Sequence, residues 1–221
     1  MFERNTIIVA VLAVSACLCT GAQAVMYGFT NITHVSAIDE AIGEAQMFVD
    51  VTDAGSGNVT FAFTNTGPDA SSITRVYFDD SENDSNPLAA FDSLVNGVGV
   101  DFVEGTDPSN LPGSTLITPV FSANFDFGSV DPRRPNGVNP GEYLSLTFNL
   151  AGGASFGDVI DDLENSTLRI GIKVQGFDDG GNEAMINNTK PVPAPGAVVL
   201  AGIGLAVTAL NRRRNRGQEK A

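Results

Sequence analysis

The sequence predicts an all-β domain, a β-sandwich of the jelly-roll or immunoglobulin-like kind carrying one short helix. Three observations predict it. Apolar and polar residues alternate with a period of two through several short runs, and the intervals between runs are rich in Gly, Pro, Asn and Asp. Helical spacing of apolar residues is convincing at one place inside the body. Many short strands, turn-forming intervals and a single helical excursion describe two packed layers of sheet.

In chain order, residues 26–31 and 46–52 are the first strand candidates. Val59, Phe61 and Phe63 then alternate with Thr60, Ala62 and Thr64, which gives one apolar and one polar face. Residues 73–78 and 98–103 are further candidates. Phe121, Ala123, Phe125 and Phe127 alternate with Ser122, Asn124 and Asp126. The clearest strands are Leu144, Leu146, Phe148 and Leu150 against Ser145, Thr147 and Asn149, and Leu168, Ile170, Ile172 and Val174 against Arg169, Gly171, Lys173 and Gln175. Eight strands result, each expected to have one buried and one wet face.

Turn chemistry separates them, at residues 53–57, 65–68, 139–142 and 178–182. Pro140 followed by Gly141 supplies the fixed φ and the positive φ of a type II turn. The helix is predicted over residues 156–164. Ser155 caps it, Asp158 lies near the positive end of its dipole, and Val159, Ile160 and Leu163 form its apolar face.

Both ends of the chain have a different character. Residues 1–24 read as a signal peptide, with Arg4 ahead of an apolar stretch from Ile7 to Leu18 and an A-x-A site at Ala22-Gln23-Ala24. Cleavage is expected after Ala24. A lipobox at Val14-Ser15-Ala16-Cys17, with acylation of Cys17, is the alternative. Cys17 and Cys19 are the only cysteines, so cleavage after Ala24 leaves a body, residues 25–190, without disulfide or thiolate.

Residues 191–216 read PVPAPGAVVLAGIGLAVTALNRRRNR. The uncharged run 196–210 would be ~22 Å long as a helix, against a hydrocarbon core of roughly 30 Å. It is a short transmembrane helix whose reach the snorkelling side chains of Arg212, Arg213, Arg214 and Arg216 extend. Those arginines should stay cytoplasmic, which places the body outside. Residues 217–221 complete the tail.

A short proline motif, Pro193-Ala194-Pro195, followed by such a helix and an arginine cluster resembles the PEP-CTERM sorting signal of bacterial surface proteins. Ala194 stands where that family most often has glutamate. The resemblance spans residues 192–216 and implies an exosortase-type membrane protease as partner, one that recognises the proline motif and removes the helix. The runs FTNTGPDASSITRVYFDD (63–80), NPGEYLSLTFNL (139–150) and TLRIGIKVQGF (167–177) also resemble the β-rich bodies common in PEP-CTERM proteins. That second resemblance implies the fold and no reaction.

Charge narrows the partners. Of 26 acidic and 12 basic residues, the end segments hold Glu3 and Glu219, and Arg4, Arg212, Arg213, Arg214, Arg216 and Lys220; the body keeps 24 acids against 6 bases, a net charge of −18. Such a surface repels nucleic acid and anionic lipid, and it suits solubility, divalent cations or cationic partners.

Catalytic chemistry has little to draw on. His34 is the only histidine, is expected at a loop edge on the surface, and cannot by itself build a multi-histidine metal site. Paired carboxylates could serve a glycosidase. The chain has no tryptophan, and Tyr27, Tyr77 and Tyr143 are its only tyrosines, so stacking platforms for sugars are scarce. No catalytic residue is assigned. Calcium is the candidate ligand, at Asp79, Asp80, Glu82 and Asp84 in the run 79–86, with Asp178, Asp179, Asn182 and Glu183 as a second oxygen-rich cluster. Neither follows the EF-hand pattern.

The expectation is an exported cell-surface or extracellular-matrix protein, structural or adhesive, without catalysis, held transiently in the inner membrane by its C-terminal helix. A secreted polysaccharide-binding module, aided by calcium, is the alternative. An acidic extracellular hydrolase comes third.

Overall fold

The structure, a computed structural model, describes residues 23–80 and 86–193. The expected signal peptide as far as residue 22, and residues 194–221 with the expected helix 196–210, lie outside the described residues. Among the described residues no helix is long and apolar enough to cross a membrane.

The body is all-β, as the alternation requires. Its strands are β1 (Ala24–Asn31), β2 (Met47–Gly55), β3 (Asn58–Asn65), β4 (Ser72–Asp79), β5 (Leu88–Asn96), β6 (Phe102–Glu104), β7 (Phe125–Ser129), β8 (Tyr143–Leu150), β9 (Arg169–Gln175) and β10 (Asn182–Asn187). They form one antiparallel sheet in the order β5-β8-β3-β2-β1-β10-β9-β4-β7-β6. β1 joins the two halves, pairing with β2 through Ala24–Gly28 and with β10 through Phe29–Asn31. The sheet curls into a near-barrel. Where its end strands meet, Asn96 on β5 donates to the Phe102 carbonyl on β6 and accepts from the Phe102 amide, at 3.3 and 3.0 Å.

Curling brings the inner faces together. Phe61 on β3 and Phe148 on β8 meet Phe78 on β4 edge to face, with ring centroids 4.9 and 4.8 Å apart. Phe91 on β5 meets Phe127 on β7 in the same way at 4.9 Å. Edge-to-face contact suits the ring quadrupoles, and such pairs add about 0.5–1.5 kcal/mol each beyond area burial. Val59, Phe61, Phe63, Leu144, Leu146 and Phe148 all point into this core, as their spacing predicts.

The helix predicted at 156–164 is α2 (Phe156–Asn165). Ser155 Oγ accepts from the Asp158 amide, Asp158 Oδ2 accepts from the Ser155 amide, and Phe156, Val159 and Leu163 are buried. The turn at 139–142 forms with Gly141 at φ +85 and the Glu142 amide donating to the Asn139 carbonyl.

Four expectations require correction. First, a second α-helix, α1 (Ala37–Gln46), occupies a stretch with no apolar stripe. Its buried residues are Asp39, Gly43 and Gln46, whereas Ile38 is exposed. Gln46 therefore ends a helix and does not begin a strand. Second, the described residues form ten strands and not eight: β5 and β10 lack clean alternation, and β5 carries two register shifts. Third, two predicted strands are shorter than expected. Of 98–103 only the end enters β6, and of 121–127 only Phe125 onward enters β7.

Fourth, the outer face of β9 is not wet at its first half, where Arg169 and Gly171 are buried. Residues 105–124, including a 3-10 turn at Ser114–Leu116, cross it, and a second apolar cluster forms from Ile32, Tyr77, Leu111, Phe121 and Ala184. Gly171 allows Leu111 to settle on the strand, since a Cβ there would stand 2.8 Å from Leu111 Cδ2.

Candidate functional site

The strongest concentration of unsatisfied chemistry lies where the N-terminus of α1 meets the turn between β9 and β10. Ser36 caps α1 by accepting from the Asp39 amide. The opposite half of a capping box would be Asp39 reaching back to the Ser36 amide. Here Glu183, from β10, takes that place: its Oε1 accepts from the Ser36 amide at 2.7 Å, and its Oε2 accepts from the Val35 amide at 3.2 Å and the Thr33 hydroxyl at 2.5 Å. Burial alone would raise the Glu183 pKa, but these donors and Asn31 outweigh it and hold the carboxyl below its usual range.

Displaced from the cap, the Asp39 side chain turns toward the β9–β10 turn. Asp39 is 1% exposed, and its Oδ2 is buried without a hydrogen-bond donor. A Cβ on Gly181 would stand 2.0 Å from Asp39 Oδ2 and 2.9 Å from Asp179 Oδ1, so only glycine permits this approach. Asp179 Oδ1 accepts from the Gly181 amide at 2.8 Å, and Gly180, at φ +83, closes the turn onto the Phe177 carbonyl. Burial, then the charge of Asp179, a hydrogen bond shared with it, and the charge of Glu183 push the Asp39 pKa up to about 6. Among the described residues no salt bridge reaches Asp39, Asp179 or Glu183.

Asp179 and Glu183 belong to the second oxygen-rich cluster read from the sequence. Asn182 and Glu183 start β10, and Asp178 and Asp179 are exposed in the preceding turn. Asp39 and Thr33 carried no signal in the sequence. They reach this cluster only because β1 pairs with β10 and α1 follows β1.

The first calcium candidate divides differently. Asp79 is buried, and its Oδ2 accepts from Arg169 Nη2 and from the Ser122 amide. Asp80 is buried as well; its Oδ2 accepts from the Leu88 amide at 3.2 Å, its own amide donates to Asn124 Oδ1, and burial pushes its pKa up to about 7. Glu82 and Asp84 lie outside the described residues. Pro193 is the last described residue of the proline motif; Ala194, Pro195, Arg212, Arg213, Arg214 and Arg216 lie beyond.

His34 sits on the surface at φ +49, its Nδ1 3.0 Å from Glu40 Oε2, and the Glu40 carboxylate raises its pKa. Asp158, Asp161 and Asp162 line a cavity of about 480 Å³ with Pro87 and residues 151–154. Of these, Asp158 is engaged by Ser155 and Asp162 by the Thr167 hydroxyl.

A cationic group stands out against the acidic body. Arg75 and Lys173 face each other across β4 and β9, and Arg133 joins them: Arg75 Nε and Arg133 Nη1 both donate to Thr106 Oγ1, at 3.1 and 3.4 Å. Burial first, then the charges of Arg75 and Arg133, lower the Lys173 pKa.

Compared with protein-family models, with curated proteins and with solved structures, the chain matches none.

Proposed function

We propose that this chain is an exported protein of the cell surface or extracellular matrix, structural or adhesive in role, whose body is a β-sandwich of the jelly-roll or immunoglobulin-like kind. One observation carries the reading beyond the sequence. The Val192 amide donates to the Met26 carbonyl at 2.8 Å, so the chain enters and leaves the body side by side. A signal peptide before Val25 and a sorting tail after Val192 would then project from one place, leaving the rest of the body clear of the membrane. The tail, on its PEP-CTERM resemblance, would hold the protein in the inner membrane until an exosortase-type protease removed it.

The edge-to-face rings between β3, β8 and β4 support the layered description of the fold. A body with a net charge of −18 suits the extracellular, solvated setting. We assign it no reaction.

Mass spectrometry of the surface-located protein from its native host tests the reading. The expected product begins at Val25, or at an acylated Cys17, and lacks residues 196–221. A protein that keeps both Met1 and the arginine cluster at steady state would refute it.

Lys173 and Arg133, half-buried beside the buried Arg75, favour a second reading, a module that binds an acidic polysaccharide through carboxylate or sulfate groups. Pull-down on a uronate polymer beside a neutral glucan separates the two. Retention on the uronate polymer that Lys173→Ala abolishes supports the module; equal behaviour on both polymers leaves the structural role.

A further inference from the structure

We propose that the carboxylates of Asp39 and Asp179, at the junction of α1 and the β9–β10 turn, hold a calcium ion. The inference goes beyond the surface-protein reading and does not depend on it.

Geometry comes first. Asp39 is 1% exposed, and no N–H or hydroxyl donates to its Oδ2, whose neighbour is the Asp179 carboxyl, although a buried carboxylate costs several kcal/mol unless it is paired. That oxygen is aimed at a defined spot. Asp39 Oδ2 and Asp179 Oδ1 both pack against Gly181, 2.0 and 2.9 Å from where a Cβ there would stand, which brings the two oxygens close together beside the turn. The groups whose charges act on Asp39 are Asp179 in the turn and Glu183 on β10, both acids. His34, the nearest basic group on the β1–α1 connection, is bound to Glu40.

Two adjoining carboxylates that no basic side chain reaches among the described residues offer a place where a cation would bind when both are charged. Glu183 is a positioning residue here. Its oxygens are engaged by Thr33, Val35 and Ser36, and it fixes the first turn of α1 so that Asp39 must face the turn.

The chemistry of the donors selects the ion. Only oxygen is on offer, from the two carboxylates. Hard oxygen ligands on a loop that can adapt its geometry suit calcium, which accepts six to eight such ligands at variable angles; magnesium demands near-ideal octahedral geometry, and zinc favours nitrogen and sulfur. Bound calcium would fasten the β9–β10 turn to α1, two elements that otherwise meet here through like charges.

Thermal unfolding of the full chain, with calcium chloride against sodium chloride of matched ionic strength, tests the site. Calcium is expected to raise the Tm of the unmodified chain by several degrees beyond the sodium control. Asp39→Asn should remove that shift while unfolding in sodium chloride at the same temperature as the unmodified chain or above it, because the amide relieves the like-charge contact. Glu82→Gln with Asp84→Asn should keep the shift, which separates this site from the other acidic run. Asp179 is exposed, so Asp179→Asn decides the matter if Asp39→Asn does not fold: it too should lose the shift. The proposal is overturned if calcium does no more than sodium, or if the asparagine variant that folds retains the full calcium shift.

Discussion

Arg169 and Asp79 stand directly opposite each other on β9 and β4, and the guanidinium donates from Nη2 to the Asp79 carboxylate with both side chains almost wholly buried, at 4% and 0% exposure. The pair fastens the covering loop to the sheet. Arg169 Nη1 donates to the Pro119 carbonyl, Nη2 also reaches the Val120 carbonyl, and the guanidinium carbon lies 5.5 Å from the centre of the Phe121 ring. Asp79 contributes from the other side by accepting from the Ser122 amide at 2.8 Å. An outer face that alternation marks as wet is sealed by one ion pair and the loop it holds.

Breaking that pair should therefore be costly. Arg169→Met or Asp79→Asn alone is expected to lower stability by about 3–5 kcal/mol, since each strands a buried charge or its hydrogen-bonding partner. Combining Arg169→Met with Asp79→Asn should cost clearly less than the sum of the two single losses. Urea unfolding of the two single variants and the double variant gives the comparison, and additive losses in the double would contradict it.

Tyr27 is expected to behave in the opposite way. It is fully buried with its hydroxyl lacking a hydrogen-bond partner, and burial, with Glu164 and Asp161, pushes its pKa up to about 12. Tyr27→Phe removes an unsatisfied polar atom and keeps the ring. Stability should change by less than about 1 kcal/mol or rise. A drop of more than about 2 kcal/mol on thermal unfolding would show that the hydroxyl has a partner after all.

Gly137→Ala should destabilise through the backbone. A Cβ there would stand 2.6 Å from the Ile73 carbonyl oxygen and 2.2 Å from Ser72 Oγ, and the bridge between Ile73 and Val138 leaves that carbonyl no room to move. A loss of roughly 1–3 kcal/mol is expected. Gly43→Ala meets only the flexible end of Met185, Sδ at 2.8 Å, and gains helix propensity, so its loss should be the smaller of the two. Chemical denaturation of both variants ranks them.

The pH dependence in the presence of a chelator should be unusual. Asp39 and Asp80 have folded pKa values raised to about 6 and about 7 from 3.8. A raised folded pKa favours the protonated folded chain, so this contribution is complete below about pH 4 and disappears as pH rises through 6 to 7. Glu183, held low by its donors, acts in the other direction and loses its contribution as pH falls below its usual 4.5. Stability should peak near pH 4–5 and decline by several kcal/mol toward pH 8. Denaturation across that range checks the sign; Asp80→Asn should flatten the upper part of the decline and Asp39→Asn the lower.

Much of the fold was legible because one physical rule governs it locally. Where a strand has one buried face, as in β3 and β8, alternation alone places Phe61, Phe63, Leu146 and Phe148 in the core. Where a cap is made by neighbours, as by Ser155 and Asp158 on α2, the helix is readable from its first residues. α1 was not readable, because its N-terminal cap is completed by Glu183 from a strand near the other end of the chain and its buried face is polar.

The same division applies to the candidate site. The sequence by itself determined a β-rich, strongly acidic, cysteine-free body and a cluster of oxygen-bearing side chains around Asp179, because composition and turn chemistry are local properties. Only the tertiary structure decided that Asp79 serves an ion pair under a loop and that Asp39 lies buried beside Asp179. Both outcomes depend on strand pairing, β4 with β9 and β1 with β10, and a carboxylate's environment is set by whatever the pairing brings against it.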